Sequence, residues 1–212
     1  MSKYVQIIPI ENKPISSISY IVYIEEFGNC IIVDPGAEDP TSIDIVLIHK
    51  KLRPVYIIFT HEHFDHIWSA NFFIQKYGTS IICSEFCANA IQNSKYNLSA
   101  FYDASKSFCI IPKTQIIAKD ADIINWEGKK LFFKESQGHS QGGIIVLLEN
   151  FIFTGDTLIK GIKTVTKLKG ASRDKLVESI EFLKSLKGHN FIVCPGHGDT
   201  FKLDEYDLLI AL

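Results

Sequence analysis

The residues best suited to chemistry lie in one short segment, Thr60-His61-Glu62-His63-Phe64-Asp65-His66, which holds three of the chain's seven histidines. It directly follows the apolar run Val55–Phe59, whose composition predicts a β-strand. Side chains two apart in an extended segment share a face, so His61 and His63 can converge on one point. Asp65 and His66 can face an adjacent point once the chain turns. Imidazoles and a carboxylate at this density indicate a zinc or iron site.

Three further segments place a metal-ligand residue beside glycine, each after another apolar run. They are Gly138-His139-Ser140, Gly155-Asp156 and Pro195-Gly196-His197-Gly198. Glycine lets the backbone turn tightly or approach a bound ion. Each segment alone is typical of a turn, but together with the first they form one set at four predicted strand ends, where loops commonly carry function. The predicted metal ligands are His61, His63, Asp65, His66, His139, Asp156 and His197.

The elements that must position these residues alternate between short β-rich runs and helical patterns. The predicted strands are Tyr4–Ile10, Tyr20–Glu26, Cys30–Val33, Val55–Phe59, Ser80–Cys83, Ile116–Ala118, Ile123–Trp126, Leu131–Lys134, Ile144–Leu148, Phe151–Thr154 and Phe191–Cys194. The predicted helices are Thr41–Lys51, Ile67–Tyr77, Glu85–Gln92 and Arg173–Leu186. Residues 93–107 are polar and predict a loop with a helical turn, and Phe201–Leu212 predicts a short helical end.

Composition limits the choice of partners. The 212 residues are 46% hydrophobic and 22% charged, which predicts a single domain over residues 1–212. A net charge of −2 provides no basic field. Neither nucleic acid nor an anionic membrane is therefore expected as a partner, and a small-molecule substrate is. The apolar start is broken at Gln6 and Pro9, too early for a signal peptide, which predicts a cytoplasmic protein.

The five cysteines predict no disulfide framework, because their number is odd and their spacing irregular. Small buried hydrophobic side chains are the favoured interpretation. Cys194, next to the Pro195-Gly196-His197 segment, has the alternative of lining the site.

The order of these motifs resembles that of the metallo-β-lactamase-fold hydrolases and is most similar to their glyoxalase II-like (hydroxyacylglutathione hydrolase-like) members. The shared pattern is T-H-x-H-x-D-H, G-H-S/T, G-D and P-G-H-G, and it runs from Asp34-Pro35-Gly36 to Gly198. The resemblance implies an α/β (α+β) fold, a four-layer αββα sandwich with the site at one edge of its two sheets.

The resemblance also implies a role for each ligand. His61, His63 and His139 would bind a first divalent ion. Asp65, His66 and His197 would bind a second, and Asp156 would bridge the two. Zinc is the expected metal, with iron and manganese as alternatives. A metal-bound hydroxide is then expected to cleave a thioester or related ester, with Asp65 and Asp156 as catalytic residues.

Two other activities stay open. Gly138-His139-Ser140-Gln141-Gly142 matches G-x-S-x-G, the motif of a serine esterase that would use Ser140. That motif needs a helix after the turn, whereas Ile144–Leu148 is predicted to be a strand. Persulfide dioxygenases share the fold and much of the motif set but use one iron. The complete second ligand set favours the binuclear hydrolase.

Neighbouring polar residues allow further interpretations. Asp34 either holds a ligand histidine or forms a plain turn, with equal weight. Glu62 is expected to point away from the site, as a surface residue like His49 and His189. A run of lysines after Asp156 either forms a basic lip for an anionic substrate or a solvated loop, and the loop is favoured. These lysines are Lys160, Lys163, Lys167 and Lys169.

Overall fold

The computed structural model describes residues 4–212 and contains two six-stranded sheets. Met1, Ser2 and Lys3, part of the N-terminal segment used above to predict that no signal peptide is present, lie outside the described residues. Within those residues, no helix has both the length and the apolar composition that crossing a bilayer requires. A single domain over residues 1–212 stays a prediction.

The first sheet has its strands in chain order. Antiparallel pairing joins the first three strands, and parallel pairing joins the third to the sixth. Its central strands are continuous Ile- and Val-rich runs because other layers cover both faces. The strands are β1 Gln6–Glu11, β2 Ile18–Tyr23, β3 Asn29–Val33, β4 Arg53–Ile58, β5 Ser80–Cys83 and β6 Gln115–Ile117.

The second sheet runs in the order β12-β11-β10-β9-β8-β7. All neighbours in it are antiparallel except β10 and β11, which are parallel. The strands are β7 Ile123–Trp126, β8 Lys129–Glu135, β9 Ile144–Leu148, β10 Phe151–Gly155, β11 Ile192–Pro195 and β12 Phe201–Lys202.

Helices cover the outer faces of both sheets. The helices are α1 Thr41–Lys50, α2 Phe64–Ile67, α3 Ala70–Tyr77, α4 Glu85–Ala90, α5 Ser99–Tyr102 and α6 Arg173–Ser185. Of these, α1 to α4 pack on the first sheet and α6 packs on the second. Three short 3₁₀ turns complete the set, at Ala104–Lys106, Leu203–Glu205 and Leu208–Ala211.

Alternation along the strands shows how the layers stack. In β3, Ile32 packs with the helices of the first sheet, and its neighbour Ile31 packs in the core between the sheets. In β9, Val146 points into that same core, while Ile145 packs under α6. Successive strand residues face opposite sides of a sheet, so these contacts define four layers. The predicted αββα sandwich is confirmed.

Two element predictions need correction. The predicted helix Ile67–Tyr77 is two helices, α2 and α3, and the first begins at Phe64. The break falls at Ser69, whose backbone N–H and hydroxyl both donate to the carbonyl oxygen of Pro35, each at 3.0 Å. The predicted helical end, Phe201–Leu212, begins instead with the edge strand β12 and continues as two 3₁₀ turns.

Four of the five cysteines are buried, as predicted, and Cys109 is exposed. Cys194 packs in the core between the sheets with Tyr20 and Phe153. Burial raises the pKa of its thiol above the ordinary value. Cys194 is therefore a core residue and does not line the site.

Helix α6 provides a direct test of the outer layer. Leu183 is fully buried against the second sheet, whereas Val177 on the same helix is 39% exposed. Leu183→Ala should lower the free energy of unfolding by about 2–5 kcal/mol, because it removes buried methyl groups and leaves a cavity. The matched Val177→Ala should change it by less than about 1 kcal/mol. Urea unfolding monitored by circular dichroism measures both, and equal losses would contradict the layered packing.

Candidate metal centre

The candidate centre lies where the ends of strands from the two sheets meet. His61 and His63 follow β4, His139 lies between β8 and β9, and Asp156 directly follows β10. His197 follows β11.

Backbone hydrogen bonds join the sheets at this edge. The N–H of Ile18 donates to the carbonyl of Gly196 at 2.7 Å, and the N–H of Ile144 donates to that of Thr60 at 2.8 Å. The chain segments that carry the histidines are thus held against one another by the main chain.

Three imidazoles form the first group of side chains. The His139 Nε2 and His63 Nδ1 atoms lie 3.0 Å apart, and the ring of His61 lies 4.6 Å from that of His63. One nitrogen from each ring falls within 4.8 Å of the others. All three residues are buried. Such an arrangement of neutral imidazole nitrogens suits a divalent transition metal.

A second group lies beside the first. The Asp65 Oδ2 atom is 3.4 Å from His197 Nε2 and 3.8 Å from His66 Nε2. Asp156 reaches both groups, since its Oδ1 lies 3.4 Å from His66 Nε2 and its Oδ2 lies 3.6 Å from His139 Nε2. All seven residues predicted from the sequence therefore lie in one cluster.

Hydrogen bonds to the outer nitrogens orient the rings. The Nδ1 atom of His139 lies 3.0 Å from the carbonyl oxygen of Val165, and that of His197 lies 3.0 Å from the carbonyl of Ser16. A carbonyl only accepts, so each Nδ1 carries a proton, and in the neutral ring each Nε2 presents its lone pair to the cluster. Sequence reasoning missed both partners, because a backbone carbonyl leaves no trace in the residue type.

Asp34 holds two more histidines, one directly and one through Thr60. Its carboxylate lies 3.0 Å from His66 Nδ1 and accepts from the backbone N–H and the hydroxyl of Thr60 at 2.7 and 2.5 Å. The Thr60 hydroxyl oxygen in turn lies 3.1 Å from His61 Nδ1. Of the two interpretations of Asp34, the structure supports the one in which it positions a ligand. Its φ of 50° is an unfavourable conformation that these hydrogen bonds stabilise.

Close packing at Gly196 brings the second group together. A Cβ atom at this position would overlap the Asp156 Oδ1 atom and the His66 ring. Only glycine lets the backbone after β11 approach the cluster so closely. Gly196 is therefore required because any side chain there would collide with the ligands Asp156 and His66.

The side chains present fit a divalent metal centre. His61 Nε2, His66 Nε2 and Asp156 Oδ1 are buried and have no hydrogen-bond partner among the described residues. Buried polar atoms without partners are costly, and bound cations would satisfy all three. Imidazole and carboxylate donors suit zinc, iron and manganese alike.

The pKa shifts of two histidines in the cluster are also consistent with a bound cation. Burial and the neighbouring imidazoles hold the pKa of His61 well below its ordinary value, which keeps the ring neutral. Burial alone would also lower the pKa of His66, but the carboxylates of Asp65, Asp156 and Asp34 outweigh it and raise that pKa to about 10. The potential around His66 is thus strongly negative and favours positive charge.

Glu62 requires a correction, because it is not a surface residue. Its side chain is 2% exposed, and its Oε2 atom has no hydrogen-bond partner among the described residues. Burial raises the pKa of this carboxyl to about 7. The residue types do not indicate this burial, since a charged residue between two ligands on a strand-end loop is ordinarily solvated. His49 and His189 are exposed, as predicted.

The serine-esterase motif lacks its structural context. Ser140 is 1% exposed, and the chain continues from it through a turn into strand β9 instead of a helix. A nucleophile elbow needs an exposed hydroxyl on a strand-to-helix turn. His139 belongs to the imidazole cluster, so this motif is part of the candidate centre.

Comparison with known proteins decides the family. Residues 15–197 match the profile described as the metallo-beta-lactamase superfamily. The chain belongs to this superfamily. Its predicted membership is confirmed.

Two relatives within the superfamily have informative names. A probable metallo-hydrolase, YqgX of Bacillus subtilis, is 28% identical over 92% of this chain and 91% of its own length. The hydroxyacylglutathione hydrolase of Salmonella typhi is 24% identical over 89% of this chain. This chain spans 65% of that enzyme's length.

Solved structures agree on the fold. The B3 metallo-beta-lactamase BLEG-1 matches with a TM-score of 0.85 and 22% identity, covering 93% of this chain and 94% of its own. The protein TTHA1623, solved in a di-iron-bound form, matches with a TM-score of 0.75 and 23% identity, covering 92% and 94%.

Replacing Asp34 tests its positioning role. Asp34→Asn keeps the size of the side chain but removes the charge that faces His66. Metal affinity should fall roughly tenfold or more, because a partner that orients a ligand histidine typically contributes that much. The matched control is Asp39→Asn, an exposed carboxylate whose hydrogen bonds within residues 4–212 come from Thr41. Competition with a chromophoric chelator measures both affinities, and equal values would contradict the role of Asp34.

Proposed function

We propose that this protein is a binuclear metal-dependent hydrolase that cleaves a thioester or a related ester. The observation that carries the proposal is the complete seven-residue cluster, in which Asp156 reaches both groups of ligands. The names of its relatives, a probable metallo-hydrolase and a hydroxyacylglutathione hydrolase, support this class of reaction.

The chain offers a defined set of residues to each metal ion. His61, His63 and His139 would hold the first ion. Asp65, His66 and His197 would hold the second, with Asp156 shared between them. When bound, divalent ions supply Lewis acidity, which lowers the pKa of water and polarises an acyl oxygen. Zinc is the expected metal, and iron or manganese suits the same donors.

The protein side chains orient the reacting groups and handle charge. Burial would raise the pKa of Asp65, but His66 and His197 outweigh this effect and hold it below the ordinary value. Its carboxylate therefore stays ionised and can accept a hydrogen bond from the attacking water at Oδ2. In the overall reaction the water oxygen bonds to the acyl carbon and the carbon–sulfur bond breaks. The leaving thiolate takes up a proton, so that the products are a carboxylic acid and a thiol.

A one-iron dioxygenase is the second candidate, since it would need fewer ligands. A one-iron site leaves the second group of ligands without a role. In that group Asp65 Oδ2 lies 3.4 Å from His197 Nε2, which is itself 3.6 Å from Asp156 Oδ2. Metal content separates the two activities. About two equivalents of metal per chain favour the hydrolase, whereas one equivalent of iron with oxygen consumption on a persulfide substrate favours the dioxygenase.

Removal of the metal should abolish hydrolysis reversibly. Dialysis against a chelator should reduce thioester cleavage to background, and two equivalents of Zn²⁺ should restore it, because the bound ions would supply the Lewis acidity that the reaction needs. The double variant His61→Ala, Asp156→Ala should lose at least about 10³-fold in kcat/KM and should not be rescued by added metal. Ellman's reagent detects the released thiol.

The matched control for this variant is His49→Ala, His189→Ala, which removes two exposed imidazoles. It should keep wild-type activity and metal content. Full activity in the His61→Ala, Asp156→Ala variant would refute the proposed function.

A further inference from the structure

A cavity of about 310 Å³ lies between the 93–107 segment and the loop that follows Asp156, and Glu62 of the metal-binding motif is part of its lining. Its size is at the lower end of the range for small-molecule pockets. Its lining includes Glu62, Phe86, Lys95, Tyr96, Gln141 and Lys169.

The 93–107 segment is fixed to the metal-binding motif, so this wall of the cavity has a defined position. The backbone N–H of Phe64 donates to the carbonyl of Asn97 at 2.8 Å. The Tyr102 ring stacks on the Phe64 ring with centroids 4.8 Å apart. Asn97 is fully buried and donates from its side chain to the carbonyl of Phe108 at 2.8 Å.

The opposite wall belongs to the loop after Asp156, and the two walls touch. The Lys169 Nζ atom lies 4.7 Å from the centre of the Tyr96 ring, a cation–π contact that closes one side of the cavity. The same loop supplies the Val165 carbonyl that orients His139. Of the four lysines after Asp156, Lys169 lines the cavity, and Lys95 joins it from the other wall.

The cavity borders segments that carry metal ligands. Glu62, which lies between His61 and His63 in the chain, is buried and lines the cavity. Gln141 lies two residues after His139. A molecule held in this cavity would therefore lie against the segments that carry the three imidazoles of the first group.

The lining of the cavity combines positive charge with apolar surface. Lys95 and Lys169 are exposed at the rim, and neither ammonium group forms an ion pair with a carboxylate of residues 4–212. The rings of Phe86 and Tyr96 supply apolar surface to the wall of the cavity. Two cations without a carboxylate partner among residues 4–212, at the edge of a partly apolar pocket, attract a ligand that has an apolar body and a negative end.

We infer that this cavity binds the part of the substrate distal to the scissile bond, and that this part is an apolar chain or ring ending in a carboxylate or phosphate. The negative end lies at the rim between Lys95 and Lys169, away from the carboxyl of Glu62. The apolar body lies along Phe86 and Tyr96. The identity of the scissile bond in this inference rests on the proposed function. The binding of an anionic, partly apolar ligand in the cavity does not.

Binding to the metal-loaded protein tests the inference without catalysis. The probes are 4-phenylbutyrate, its neutral amide 4-phenylbutyramide, and 2-phenylethyl phosphate, each titrated by calorimetry. Both anions should bind more tightly than the amide. Lys95→Met and Lys169→Met should each weaken binding of the anions about threefold and the double variant roughly tenfold, since an exposed charge pair contributes only modestly to affinity. Tighter binding of one anion identifies whether the natural end group is carboxylate or phosphate.

The matched controls are Lys160→Met and Lys163→Met, exposed lysines of the same loop that do not line the cavity. They should leave all three affinities unchanged. The inference is overturned if the amide binds as tightly as the anions, if the anions bind the double variant as they bind wild type, or if the double variant loses amide and anions equally. The last outcome would mean a merely structural role for the lysines.

Kinetics then separate this inference from the proposed function. S-acetyl-6-mercaptohexanoate should be hydrolysed with a KM lower than that of its primary amide, and the double lysine variant should lose this difference while kcat changes little. If the anionic probes bind as expected but neither thioester is cleaved at any metal loading, the proposed function fails and the anion-binding cavity stands.

Discussion

The carboxylate of Asp34 is the contact on which the rest of the site depends. It follows β3, accepts two hydrogen bonds from Thr60 after β4, and lies 3.0 Å from the His66 ring in α2. One side chain thus fixes the relative position of two strand ends and a helix. Because Thr60 also contacts His61, the same carboxylate affects both groups of candidate ligands. Its buried charge is stabilised only while these donors surround it.

The four-layer fold explains why so many polar groups can be buried at one edge. Helices cover the outer faces and the two sheets cover each other, so a large apolar core stabilises the chain independently of the site. The strand ends that meet at Thr60 and Gly196 are then free to carry imidazoles and carboxylates. Such residues lower stability unless they are paired, and the core offsets that cost.

The sequence predicted the ligands better than their surroundings, and the reason is physical. Histidines two apart at a strand end have few purely structural uses, so the pattern itself predicts that His61 and His63 are metal ligands. The four layers followed from a resemblance, because short apolar runs do not specify strand order. The burial of Glu62 and the carbonyl of Val165 depend on contacts between residues far apart in the chain. The predicted helix start at Ile67 was too late. Phe64 and Asp65 lie inside the metal-ligand motif, and their apolar pattern does not mark the first turn of α2.

Ser16 and Val165 hold their histidines through backbone carbonyls and not through side chains. The orientation of His139 and His197 therefore does not depend on which amino acids occupy these two positions. Val165 belongs to the same loop as Lys169, so that loop can exchange side chains over evolutionary time while the imidazole it supports keeps its place. A scaffold of this kind can diversify its choice of substrate without rebuilding its reactive centre. The separation of backbone support from side-chain variation makes the loop a favourable region for directed evolution.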